Sequence, residues 1–171
     1  IPASQAMNST SFRGHSRFLD LLLGVGAVAA VVSGGGSLAA RASAPALMPV
    51  TSYRSASCGC CTGWVKHMRA NGFTVRDVVV ADVGVVKRRL GVPARLASCH
   101  TAEVAGFALE GHVPAADVKR LLQKRPPLAG LALPGMPLGS PGMESAYGKE
   151  AFTVMAFTRT GAISSFSQYA K

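Results

Sequence analysis

The residues able to do chemistry in this 171-residue chain fall in two places. Cys58-Gly59-Cys60-Cys61 puts three sulfurs within four residues, and Cys99-His100 adds a fourth sulfur beside an imidazole. Cys58 and Cys61 have C-x-x-C spacing, which suits either a redox dithiol or a soft-metal chelate, and a helix N-terminus favours thiolate over thiol there. Cys60 separates the two uses. A dithiol oxidoreductase needs no third sulfur between its two, whereas a metal site uses each further thiolate as a ligand or a bridge. Sulfur combined with imidazole selects Cu(I) or zinc ahead of hard cations. Zinc ranks below copper, because its usual frame repeats C-x-x-C and the second pair here is Cys-His with no spacer. Two readings without a metal remain open. One is a thiol-disulfide oxidoreductase in which Cys58 attacks and Cys61 resolves. The other is a small binding module stapled by two disulfides, with Cys60 or Cys61 paired to Cys99. The donor set favours a metal-binding protein over an enzyme.

Weaker candidates surround these. His67 lies three residues after Trp64, on the same face of a predicted helix and near the cysteines, although a solvent-facing histidine is the plainer reading. Met136 and Met143 are soft thioether donors in repeated Pro-Gly-Met contexts, a position equally suited to covering apolar surface. His112 reads as a structural or surface residue, and Trp64 as a packing residue that lids the cysteine loop.

The elements that must position these groups follow from periodicity and turn signals. Val50 to Tyr53 is a short β-leaning run that delivers the chain to the cysteines. Trp64, Val65, Met68 and Arg69 repeat at helical spacing from Thr62, and Asn71-Gly72 supplies the stop. Phe73 to Val80 reads as a buried strand, so strand, helix and strand form a βαβ unit with parallel pairing. Asp82 caps a helix from Val83 to Leu90. Thr101 to Val104 and Phe107 to Leu109, split by Ala105-Gly106, read as a hairpin. Pro114 opens an amphipathic helix to Lys124 carrying Val118, Leu121 and Leu122. The order βαβαββα is that of an α/β, thioredoxin-like domain, in which the loop before the third strand approaches the first cysteine loop. Leu128 to Gly142 is a Gly/Pro/Met-rich loop, and Ala151 to Thr158 with Ile163 to Phe166 forms a C-terminal hairpin.

Composition bounds the rest. Apolar residues are 49% of the chain and charged residues 15%, as in a globular domain preceded by an apolar leader. Arg13, His15 and Arg17 precede an apolar run from Leu21 to Val32, followed by Ser33-Gly34-Gly35-Gly36 and the small residues around Ala40 and Ala42. This is a signal-peptide layout over residues 1–42 with cleavage after Ala42, leaving residues 43–171 as one periplasmic domain without a stable membrane span. Export also places all four cysteines where disulfides survive. The formal charge of +10 falls to +8 without the leader, since 15 basic and 7 acidic residues follow Ala42. Those basic residues are spread over several helices without interleaved aromatics, so no nucleic-acid partner is expected.

The motifs Cys58-Gly59-Cys60-Cys61-x-x-Trp64-x-x-x-Met68, Arg89-Leu90-Gly91-Val92-Pro93, Ser98-Cys99-His100-Thr101 and Glu110-Gly111-His112-Val113-Pro114 recur in one fixed order. With Leu131-Ala132-Leu133-Pro134-Gly135-Met136-Pro137 and Gly139-Ser140-Pro141-Gly142-Met143-Glu144, the stretch from about Val50 onward resembles the CopG-like family of exported metal-binding proteins. That resemblance implies a periplasmic thioredoxin-like domain associated with copper resistance. Its CxCC and Cys-His motifs would bind copper and undergo redox change, in company with other periplasmic copper-handling proteins. Residue by residue, it assigns Cys58, Cys60, Cys61 and Cys99 as sulfur ligands, with His100 adjacent.

Overall fold

The computed structural model describes residues 48–171. The predicted leader and its cleavage point after Ala42 lie outside the described residues. β1 (Val50–Arg54), α1 (Gly59–Ala70) and β2 (Val75–Val79) form the expected βαβ unit, with β1 and β2 parallel. α2 (Val83–Arg89) follows, its first turn capped by the Asp82 carboxylate accepting from the Gly84 N–H at 2.7 Å. A 3-10 turn at Ala94–Leu96 then leads into the hairpin of β3 (Thr101–Val104) and β4 (Phe107–Gly111). Its two-residue turn, Ala105-Gly106, has φ of 50° and 85°. Positive φ at both central positions matches the twist of the flanking strands.

α3 (Ala115–Lys124) carries the chain on to β5 (Gly130–Leu133), and β6 (Phe152–Phe157) and β7 (Ile163–Tyr169) close it. The seven strands form one sheet in the order β2-β1-β3-β4-β5-β6-β7. Two expectations need correction. The Gly/Pro/Met-rich loop predicted over Leu128 to Gly142 begins with a strand: Gly130 to Leu133 pairs parallel with β4 and antiparallel with β6. All four of its residues are buried, which yields an apolar run without alternation, and the C-terminal hairpin is thereby built into the main sheet. The first helix also begins at Gly59 rather than Thr62, so Cys58 is its N-cap and Cys60 and Cys61 lie in its first turn.

Side-chain alternation splits the core between the two faces of the sheet. Leu109, Leu131, Leu133 and Val154 face α1 and α3, where they meet Trp64, Val65, Met68, Val118 and Leu121. Ala108, Ala132 and Phe157 form a smaller cluster with Leu96 on the other face. Full burial of each large side chain contributes about 1.5–3 kcal/mol. Asp117 of α3 fastens the C-terminal strand: its carboxylate accepts from Ser167 Oγ at 2.7 Å and Tyr169 Oη at 2.9 Å, and from Arg120 at 2.8 Å. Among the described residues, no helix is long and apolar enough to cross a membrane.

Candidate metal centre

Three segments converge on the cysteines: the first turn of α1, the loop between the 3-10 turn and β3, and a strap from Pro134 to Gly142 between β5 and β6. Cys58 and Cys61 are joined in a disulfide, while Cys60 and Cys99 are free thiols. The two-staple arrangement is therefore not formed, because Cys58 finds its partner three residues away and Cys99 stays unpaired. Cys60 Sγ lies 3.6 Å from Cys58 Sγ and 4.0 Å from Cys99 Sγ, and Cys99 Sγ lies 3.6 Å from Cys61 Sγ. All four sulfurs fall within 4.8 Å of one another.

Cys99 also belongs to a second cluster with His100 and His112. His112 Nε2 is 3.0 Å from Cys99 Sγ, and its Nδ1 is 2.8 Å from the Pro141 carbonyl. A carbonyl only accepts, so Nδ1 carries the proton and the lone pair of the neutral ring faces the sulfur. This is the arrangement by which a histidine is oriented to bind a metal. The register of the hairpin explains the meeting. Thr101 pairs with Glu110, and the Gly111 N–H continues the ladder to the His100 carbonyl at 2.9 Å, so one further step sets Cys99 opposite His112. His112 is thus the site residue that sequence reasoning missed, read there as a structural or surface position.

His100 is fully buried, its ring centroid 4.6 Å from Trp64 and 5.0 Å from His112. Its Nδ1 is 3.4 Å from Cys99 Sγ, while Nε2 has no hydrogen-bond partner among the described residues. Burial holds His100 neutral, well below the usual histidine range, reinforced by His112 and Lys87. Burial lowers His112 too, partly opposed by Pro141 and Glu144. Desolvation, with Cys60 alongside, pushes the Cys99 thiol up to about 11. Without a metal the site is thus a protonated thiol among neutral rings, and a bound cation would have to displace the thiol proton.

The strap completes the enclosure. Met136 Sδ is 3.9 Å from Cys60 Sγ on an exposed side chain, and the Gly135 carbonyl accepts from Ser98 Oγ at 2.6 Å. Gly142 presses against α1: a Cβ at that position would lie 2.5 Å from Trp64 N and 2.7 Å from the Cys60 carbonyl. Trp64 is the packing residue expected, fully buried with its Nε1–H on the Val113 carbonyl at 2.8 Å. Two weaker candidates are used elsewhere. His67 is half-buried rather than solvent-facing, and its Nε2 accepts the Ala115 N–H at the start of α3 at 3.1 Å. Met143 closes a turn of the strap through its backbone, with its N–H on the Ser140 carbonyl at 2.8 Å.

Two free thiols, the imidazoles of His100 and His112 beside Cys99, and the Met136 thioether beside Cys60 form a donor set that fits a soft cation, and reduction of the disulfide would add two thiolates. Sheet and site together define the class: a mixed α/β protein whose clustered cysteines and histidines could hold a metal ion. Residues 96–143 match a family model described as a protein of unknown function, DUF411, a stretch that carries Cys99, His100, His112 and the strap. Two solved structures, "Copper resistance protein copG- Form 1" and "Copper resistance protein copG- Form 2", are similar at 48% and 49% identity, each with a TM-score of 0.69. The first comparison covers 73% of this chain and 99% of the other, and the second covers 72% and 98%. The chain belongs to the CopG copper-resistance family. No curated protein matches it.

Proposed function

We propose that this chain is an exported, periplasmic copper-binding protein of metal resistance that holds Cu(I) on its CxCC and Cys-His motifs. The observation that carries this reading is the meeting of four cysteine sulfurs within 4.8 Å, with Cys99 shared by a second group containing His100 and His112. A closed set of thiolates suits a soft monovalent ion, and four of them can bridge more than one. The relatives' names as copper resistance proteins support copper over zinc. The proposed ligands are Cys58, Cys60, Cys61, Cys99 and His100, joined by His112, with Met136 at the rim.

The fold reading remains thioredoxin-like. Its support is the order β2-β1-β3-β4 with β1 and β2 parallel and β3 antiparallel to both neighbours, to which β5, β6 and β7 add an extension. A second activity, copper-linked thiol redox chemistry, draws support from the Cys58–Cys61 disulfide at the N-terminus of α1. The electrons balance simply: oxidising the two thiolates to the disulfide releases two electrons, enough to reduce two Cu(II) to two Cu(I). Anaerobic Cu(I) titration of the reduced chain against a Cu(I)-selective chelator tests the main reading. More than one ion per chain is expected, fewer in Cys60→Ser and Cys99→Ser, and zero stoichiometry in the wild type would overturn it.

A further inference from the structure

Behind the cluster, on the α2 side of the sheet, lies a buried ionic group that the copper site does not itself use. Glu110 is wholly buried, and its carboxylate gathers three donors from three separate segments. Oε1 accepts from the Ser98 N–H at 2.5 Å and from Lys87 of α2, and Oε2 accepts from Thr101 Oγ1 at 2.7 Å. Lys87 Nζ also donates to Thr101 Oγ1 at 3.1 Å. We propose that Glu110 is a positioning residue for the metal centre, holding the loop at Ser98 so that Cys99 meets His112.

A buried carboxylate-ammonium pair adds little to stability over well-packed apolar groups, so the fold alone gives weak reason for it. The backbone already pairs β3 with β4 through four register partners, from Thr101 with Glu110 to Val104 with Phe107. What the carboxylate alone provides is an acceptor for the Ser98 N–H, at the point where the chain leaves the 3-10 turn and one residue before Cys99. Ser98 is held on its other side by Oγ on the Gly135 carbonyl. Pinned between Glu110 and the strap, it leaves Cys99 a narrow range of positions, with Sγ 3.0 Å from His112 Nε2 and 3.6 Å from Cys61 Sγ. Groups that orient a metal ligand in this way are commonly worth about 10- to 100-fold in affinity.

The metal arm of the test rests on the copper reading, while a second arm does not. In the full chain, Glu110→Leu with Lys87→Met replaces the pair by apolar groups and removes the acceptor. Cu(I) affinity is expected to fall about 10- to 100-fold. Glu110→Gln keeps an acceptor for Ser98 and should lose about 3-fold or less on the same scale. Cys99→Ser should cost less in the Leu/Met background than in the wild type, since both changes act through one ligand. In the metal-free chain, amide exchange at Ser98 and Cys99 should rise in the Leu/Met variant while that at Leu109 holds. If the Leu/Met variant does not fold, Glu110→Asp, whose shorter side chain draws the shared oxygen away from the backbone N–H of Ser98 while the flexible Lys87 can follow it, must show the same loss. A folded Leu/Met variant with unchanged exchange at Ser98, with wild-type copper affinity, or with a loss fully additive with that of Cys99→Ser, overturns the proposal. Wild-type protein that takes no copper sinks the copper reading alone, and the exchange result then decides the role of Glu110.

Discussion

The contact between strap and helix gives a sharp stability prediction. Gly142 has φ of +83°, and an added Cβ would lie 2.5 Å from Trp64 N, 2.7 Å from the Cys60 carbonyl and 2.9 Å from Gly63 C, all backbone atoms that cannot step aside. Gly142→Ala therefore meets a left-handed conformation costing about 1–2 kcal/mol. Overlap in a packed region adds about 1–3 kcal/mol. If the strap lifts to relieve it, the Pro141 carbonyl leaves His112 Nδ1, a loss of about 1 kcal/mol. The expected total is roughly 3–6 kcal/mol, a large share of the 5–15 kcal/mol typical of a domain. Gly135→Ala is the control: its φ is +70°, but nothing lies within 4 Å of the added carbon, so only the conformational cost applies. Urea unfolding of both variants with the disulfide intact measures the difference, and Cu(I) competition shows whether His112 has lost its orientation. Equal losses of stability in the two variants would refute the argument that backbone crowding locks the strap to α1.

Buried His100 gives the metal-free chain a pH dependence. Its folded-state pKa lies well below the unfolded value near 6.5, so unfolding takes up a proton; stability is full above that value and declines as pH falls through it. The slope should approach about 1.4 kcal/mol per pH unit for this group alone, with His67 and His112 acting in the same direction, and His100→Phe should flatten it. Urea titrations between pH 7.5 and 5.5 check this, and a wild-type slope unchanged in His100→Phe would remove His100 as its source. For the leader, expression in a bacterial host should yield periplasmic protein beginning at Ser43. Mass measurement of the exported protein decides it, and an intact chain confined to the cytoplasm would end the export reading.

The cysteine cluster was legible because spacing alone identifies it: three sulfurs in four residues and a Cys-His pair have few uses. His112 was within reach of the same reading. A two-residue turn at Ala105-Gly106 fixes the register of the hairpin, and counting outward from it pairs Cys99 with His112. A histidine flanked by Gly111 and Val113 carries no local sign of that partnership, since pairing is a property of two strands. β5 was hidden for another reason. Leu131-Ala132-Leu133 is buried on both faces, so it lacks the period-two signal of a half-buried strand, and the glycines and prolines around it read as loop. The start of α1 was misjudged because its first turn is made of Gly59, Cys60 and Cys61, residues with little helical preference, and Trp64 begins the periodic stripe. Glu110 could not have been singled out, because its three donors come from segments that only the folded sheet brings together.

The threading of β5 between β4 and β6 has a consequence for the order in which the protein acquires its parts. Cys58 and Cys61 are separated by three positions, so they meet within a single helical turn, early in folding. Cys61 and Cys99 are 38 residues apart and Cys60 and Met136 are 76 apart, and the strap bearing Met136 is held at both ends by strands of the completed sheet. Contacts of such separation form late, after the loops between them have closed. A nascent chain can thus pair Cys58 with Cys61 before Cys99 arrives, which spares it from scrambled long-range crosslinks. The full donor set comes into being only once the sheet has closed.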